Sequence, residues 1–479
     1  MSALPRLFVS AAHKSSGKTT VAIGLAAALR ERGSVVQPFK KGPDYIDPMW
    51  LTRAAGRACV NLDPYLMDAA AIAAALDRES AGADLALIEG NKGLHDGMAL
   101  DGSDSNAALA RELGAPVVLV FDTRGMTRGI APLVLGFQAF DRGVPLAGVI
   151  LNQVGGTRHE GKLRAALEAY TDVPVLGALG RDERLALPER HLGLTPDAEL
   201  DGASARVAQI AALVAAGVDL DRVRAAAAAA PAWTAAKTAA RTTARPAPRA
   251  GLRIAIARDR AFGFYYPDDL QALEAAGAQL VPFDTLRDTA LPPADGLFIG
   301  GGFPEMFMAE LEANVALRRA LRDALAAGLP AYAECGGLMY LARSMRWGER
   351  SAEMVGAIPG DVVMHARPVG RGYVQLQATA AHPWAPSADG VLRGHEFHHS
   401  SLENLPGDAV FGLRVRRGQG IDGSHDGLVV GNLVASYSHL RTGAGSDWAP
   451  RFVDFVRACR QRRGAVGTSG QPGSLALAA

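Results

Sequence analysis

Cysteine is scarce in this chain of 479 residues: Cys59, Cys335 and Cys459 are the three present. They are too few and too scattered for a disulfide framework or a paired-cysteine metal site. A surplus of either charge is missing too. Lysine and arginine number 50 against 49 aspartates and glutamates, so charge gives no argument for nucleic acid or an anionic membrane as partner. No apolar run approaches the roughly 20 residues of a membrane span. Leu7 to Ala12 is short and runs into a polar loop, unlike a secretory leader. A soluble protein in a reducing, cytoplasmic setting is expected. Large apolar residues are almost absent from 223–250, which is alanine-rich and carries Pro231, Pro246 and Pro248. That stretch reads as a linker and 464–479 as a flexible tail.

The rest of the chain is globular in composition, 49% hydrophobic and 21% charged. Its length suffices for two or three domains with separate cores, and the linker places them at 1–222 and 251–463. The first opens with a strand, Arg6 to Ala11, and a helical pattern runs from Val21 to Arg30. Between them stands Ala12-His13-Lys14-Ser15-Ser16-Gly17-Lys18-Thr19-Thr20. This is a phosphate loop with a strand before it and a helix after it. Backbone N–H groups of Ser16 to Thr20 and the helix N-terminus suit phosphate oxygens, and Lys18 would reach the β/γ-phosphates. Thr19 would offer its hydroxyl to Mg²⁺. Ala12 stands where the usual pattern has its first glycine.

Next, a short strand delivers Lys40 and Lys41, then Asp44, Tyr45 and Asp47, on a loop stiffened by Gly42 and Pro43. Lysines suit phosphate or a substrate carboxylate; the aspartates suit Mg²⁺. A further strand ends at Glu89, where open α/β sheets bind their ligands, and Glu89 could join Thr19 on the metal. Asn152 leaves another strand end on a loop expected to contact the nucleotide base. Strands alternating with helices predict a mostly parallel, doubly wound sheet.

A second α/β pattern begins near Leu252. Its third strand, Gly296 to Ile299, runs into Gly300-Gly301-Gly302-Phe303-Pro304-Glu305. Successive glycines let bare backbone N–H groups face a ligand, as an oxyanion hole requires. About thirty residues later, Ala331 to Glu334 ends at Cys335-Gly336-Gly337 and a helical pattern starts at once. A strand turning sharply into a helix presents one side chain at its apex, as in a nucleophile elbow. The competing reading is a packed structural thiol. His439, at the end of the apolar run from Leu433, is the candidate base for Cys335, with His395 and His398 as competitors.

Together these residues resemble the glutamine-dependent cobyrinic acid a,c-diamide synthases. The resemblance spans about 6 to 460, apart from the linker, and rests on Ser16 to Thr20, Lys41 to Pro48, Glu89-Gly90 with Gly93 to Gly97, Gly300 to Glu305, Cys335 to Gly337 and His395 to His398. The first half is similar to dethiobiotin synthetase, the second to class I glutamine amidotransferases. Asn91-Lys92 departs from the family, which more often has small or apolar residues there. The resemblance implies two doubly wound α/β domains, ATP, Mg²⁺, L-glutamine and a corrin or related tetrapyrrole acid. It implies Lys41 as a catalytic cation and Thr19, Asp44, Asp47 and Glu89 around the metal. It further implies Gly301, Gly302 and Gly336 at the oxyanion, with Tyr45 and Asp96 toward the macrocycle. ATP would convert a carboxylate to an acyl phosphate, and ammonia from glutamine at Cys335 would displace the phosphate along a sealed path. Siroheme and nickel-sirohydrochlorin amidation would share this layout. A partitioning-ATPase switch would explain the phosphate loop and leave Gly300 to Gly302 and Cys335 without a task. Whether two copies pair into a homodimer stays open.

Overall fold

The computed structural model describes residues 4–190, 193–233, 251–385, 390–443 and 446–468. The chain divides into two compact units, Met1–Ala240 and Arg241–Ala479. The first is built on seven strands: β1 (Arg6–Ala11), β2 (Val36–Lys41), β3 (Val60–Leu62), β4 (Leu85–Glu89), β5 (Val117–Asp122), β6 (Leu146–Val154) and β7 (Val175–Gly180). They lie in the order β3-β2-β4-β1-β5-β6-β7, and each neighbouring pair is parallel. Side chains alternate across a strand, so Leu7 and Val9 enter one apolar core while Phe8 enters the other. Helix α1 (Lys18–Glu31) packs in the first of these cores and Ile130–Phe140 contributes to the second. The sheet is therefore doubly wound, as expected. Residues 223–228, read from composition as linker, instead complete the helix Leu220–Ala228, with Val223 and Ala227 buried in the first core. Residues 234–250 and 469–479 lie outside the described residues.

The second unit holds a ten-stranded sheet. Ala278–Phe283, Leu252–Ala257, Gly296–Ile299, Ala331–Glu334 and Leu433–Ser436 are parallel neighbours in that order. Beyond them the sheet continues antiparallel through His425–Val430, Val410–Arg417, Gly370–Ala378 and Val391–His398 to His439–Leu440. The parallel half carries the cysteine turn at its carboxyl edge. The antiparallel half is the part that the expectation of a mostly parallel sheet did not contain. Among the described residues no helix is long and apolar enough to cross a membrane.

Candidate functional site

In the first unit, β4 lies between β1 and β2, and register puts Glu89 beside Val9 on one side and Lys40 on the other. The loop between β1 and α1 closes over this edge. Gly17 takes φ 90°, a left-handed conformation that suits glycine, and a Cβ there would come within 2.1 Å of the Asn152 amide nitrogen. That amide donates to the Ser16 carbonyl at 2.9 Å, and the Ser16 hydroxyl donates to the His13 carbonyl at 2.9 Å. Asn152 thus braces the loop from below, where the sequence suggested a contact to the base. Burial, and then Lys40, hold the Lys18 ammonium below its ordinary range; a phosphate would offset both.

Thr19 donates its hydroxyl to Glu89 at 2.5 Å and to Asp47 at 3.3 Å. Lys40, 1% exposed, pairs with Asp47 at 2.5 Å and with Glu89 at 3.1 Å. Burial raises Glu89 above the usual carboxylate range. It acts against charge on Lys40 and Asp47 too, yet their mutual attraction wins, raising the ammonium and lowering the carboxyl. Lys41, the lysine singled out in the sequence, points to the opposite face of the strand. It donates to the Asp104 carbonyl at 2.6 Å and to Asn91 at 3.4 Å. Lys40, which the sequence displays beside Lys41 without distinguishing it, is the lysine that reaches Asp47 and Glu89.

Of the expected metal ligands, Thr19 bonds Asp47 and Glu89, and Asp44 lies close enough to feel the charges of both carboxylates. Asp44 Oδ1 accepts N–H bonds from Ile46 at 2.9 Å and Asp47 at 3.1 Å, at the start of the helix Ile46–Ala55. Burial, then the neighbouring Asp47 charge, push its carboxyl up to about 7. Among the described residues no three histidine, cysteine or acidic side chains form a ready metal cage. Thr19, Asp47 and Glu89 still offer hard oxygen donors. That suits Mg²⁺, which binds through one or two carboxylates and substrate phosphates. Tyr45 is buried at the head of the same helix. Asp96 is exposed and accepts the Gly93 N–H at 2.9 Å, closing its own turn.

In the second unit, Cys335 sits at φ 47°, ψ −101° between the strand Ala331–Glu334 and the helix Gly336–Leu341. A side-chain residue held there signals strain kept by its surroundings. The Cys335 N–H donates to the Ser436 carbonyl at 2.7 Å. At Gly337 a Cβ would stand 2.2 Å from the Ile299 carbonyl, and at Gly336 2.9 Å from the Gly302 nitrogen. The turn is therefore pressed against the glycine run. That run is less open than expected: Gly301–Gly302 pairs with Phe262–Phe264, and Gly300 donates its N–H to the Tyr265 hydroxyl at 3.0 Å. Gly301 faces His439, whose Cε1 would be 2.7 Å from a Cβ there.

His439 lies close enough to Cys335 for the thiol to act on its charge, and its Nδ1 is 3.2 Å from Glu334 Oε2. Burial disfavours the imidazolium, but the attraction of Cys335 and Glu334 outweighs it and pushes His439 up to about 10. The apolar run from Leu433 does not reach His439 as one strand. Asp426 accepts the N–H groups of Tyr437 and Ser438, each at 3.0 Å. This breaks the ladder and passes His439 to a different strand pair. His395 stacks on His439 with ring centres 4.8 Å apart and is held well below its ordinary range, first by burial. His398 stacks on Tyr437 at 3.9 Å and bonds the Ser400 carbonyl. Sequence reasoning passed over Glu334, although it directly precedes the cysteine.

Two family models match the chain: a CobB/CobQ-like glutamine amidotransferase domain over residues 253–446 and an AAA domain over 5–189. A cobyrinate a,c-diamide synthase of Magnetococcus marinus is 47% identical over 95% of this chain and 97% of its own. One of Methanosarcina acetivorans is 42% identical over 96% and 97%. One of Listeria monocytogenes is 40% identical over 91% and 96%.

Proposed function

Since the chain belongs to the cobyrinate a,c-diamide synthase family, we propose that its two sites amidate the a and c carboxylates of cobyrinic or hydrogenobyrinic acid, with glutamine as nitrogen donor. The observation that carries the reading is the strained Cys335 beside the His439–Glu334 pair in a chain that also holds a braced phosphate loop.

A free carboxylate does not react with ammonia at neutral pH, because oxide is not a leaving group. ATP solves this by passing its γ-phosphoryl group to the carboxylate oxygen, with ADP leaving, to give an acyl phosphate. Phosphoryl transfer asks the protein for position and charge neutralisation. The loop Ser16 to Thr20 and Lys18 serve the phosphates. Lys40 holds Asp47 and Glu89 in place, and Thr19, Asp47 and Glu89 would hold Mg²⁺. When bound, the ion supplies charge neutralisation across the β/γ-phosphates.

Cys335 passes its proton to His439, and its sulfur attacks the glutamine side-chain carbonyl carbon. The N–H groups of Gly301 and Gly336 would bind the oxyanion. As the tetrahedral state collapses, the C–N bond breaks and His439 returns the proton to the departing ammonia. Water, deprotonated by His439, then cleaves the thioester to glutamate and restores the thiol. Ammonia attacks the acyl phosphate carbon, and phosphate leaves to give the amide.

Cys335→Ser should abolish glutamine-dependent amidation while amidation with free ammonia continues. Loss of both activities from a folded variant would overturn the division of labour. Mass shifts with cobyrinic acid, hydrogenobyrinic acid and siroheme side by side identify the macrocycle, and amidation of siroheme alone would replace the proposed substrate.

A further inference from the structure

The mechanism above uses the imidazole of His439 and leaves the residue before the nucleophile without a task. Glu334 is the last residue of the strand Ala331–Glu334 and is 3% exposed. A carboxylate buried so fully is costly unless its oxygens are bonded, and here both are. Oε2 lies 3.2 Å from His439 Nδ1. Oε1 accepts the Tyr332 hydroxyl at 2.8 Å and the Leu440 N–H at 3.1 Å. The bond to Leu440 fixes the backbone that carries His439, and the bond to Tyr332 fixes the carboxylate itself.

We infer that Glu334 is the positioning residue of the glutamine site, orienting His439 and stabilising its protonated form during transfer to and from Cys335. The geometry assigns the ring nitrogens their roles. Nδ1–H donates to Glu334, which leaves Nε2 for the sulfur and the departing ammonia. Nε2 lies on the side of the ring toward Gly301, where a Cβ would be 3.4 Å away. The opposite ring face is covered by His395, which burial keeps neutral, so no second cation competes at that face. Nucleophile and orienting acid are thus adjacent residues on one turn. The strand end sends Glu334 to Nδ1 of the histidine, and the positive φ at Cys335 turns the chain there, so that the sulfur would work at the other nitrogen. Tyr332, Tyr265 and Asp269 also lie within reach of the Glu334 charge, and Arg441 acts on His395. Substitution of Glu334 leaves all four in place.

This inference rests on the proposed glutamine hydrolysis, so the test reads glutamate release directly, alongside the ammonia-dependent reaction. Glu334→Gln keeps the size and the acceptor for Tyr332 and Leu440 but removes the charge. Glutamate release should fall about 10²-fold in kcat, within the range that proton-transfer catalysis supplies, with KM little changed and the ammonia-dependent rate retained. The alkaline limb of the pH profile reports loss of the His439 proton. It should move to lower pH by more than about one unit, since one of the interactions favouring the imidazolium is gone. Glu334→Asp, which keeps the charge, should recover at least a tenfold part of the rate and an alkaline limb near the original. An unmoved limb with a rate within threefold in Glu334→Gln would overturn the role. So would parallel loss of glutamine- and ammonia-dependent activity in both variants, which marks a purely structural residue. Glutamate release by Cys335→Ser would instead overturn the proposed function.

Discussion

Adjacent lysines at the end of β2 carry separate tasks, and the difference is one of pleat. Lys40 is enclosed with Asp47 and Glu89, whereas Lys41 bonds a backbone carbonyl and an asparagine. Lys40→Ala would leave two carboxylates buried without their cation. Removing one partner of such a set costs about 3–5 kcal/mol; Lys41→Ala removes ordinary hydrogen bonds worth about 1 kcal/mol each. Urea unfolding should show this gap, and ATP-dependent amidation should be lost in the first variant and reduced in the second. The sequence displays both lysines equally. Which of them faces Glu89 depends on register with β4, and register is a property of the folded sheet. Asp44 and Asn152 went the same way. Their chemistry was legible, but the backbone groups they bond were not.

At the scale of the element, the turn at Cys335 was the most legible feature of the second unit, because few sequences place a cysteine and two glycines between an apolar strand and a helix. Its support came from glycines that admit no substitute. A Cβ at Gly302 would lie 1.9 Å from the Ala261 carbonyl, and backbone cannot yield as a side-chain tip does. Gly302→Ala should therefore destabilise the protein by about 1–3 kcal/mol and lower glutamate release far more than ammonia-dependent amidation. Equal loss in both assays would show that the damage spreads beyond the glutamine site. The run ending at His439 was harder to read. Its apolar pattern is continuous, yet Asp426 intercepts two N–H groups and splits it. An acid eleven residues upstream gives no local sign that it will do so.

At the scale of the whole molecule, the described residues fill separate cores in two compact units, so each site sits on its own scaffold. Calorimetry should resolve two transitions, and ATP with Mg²⁺ at about 100 times its dissociation constant should stabilise one of them by about 2.7 kcal/mol. A single transition raised as a whole would show the units to be coupled. The alternation of apolar strands and helices determined the two α/β units, because period and burial are written locally. The same holds for the phosphate loop and the cysteine turn, whose glycines mark backbone that other residues cannot adopt. Tertiary structure alone decided the antiparallel half of the second sheet, the placing of Lys40 between Asp47 and Glu89 and the pairing of Glu334 with His439. Glu334 and His439 are 105 residues apart, and each reads as an ordinary polar residue until a parallel strand and an antiparallel one bring the two together beside the nucleophile.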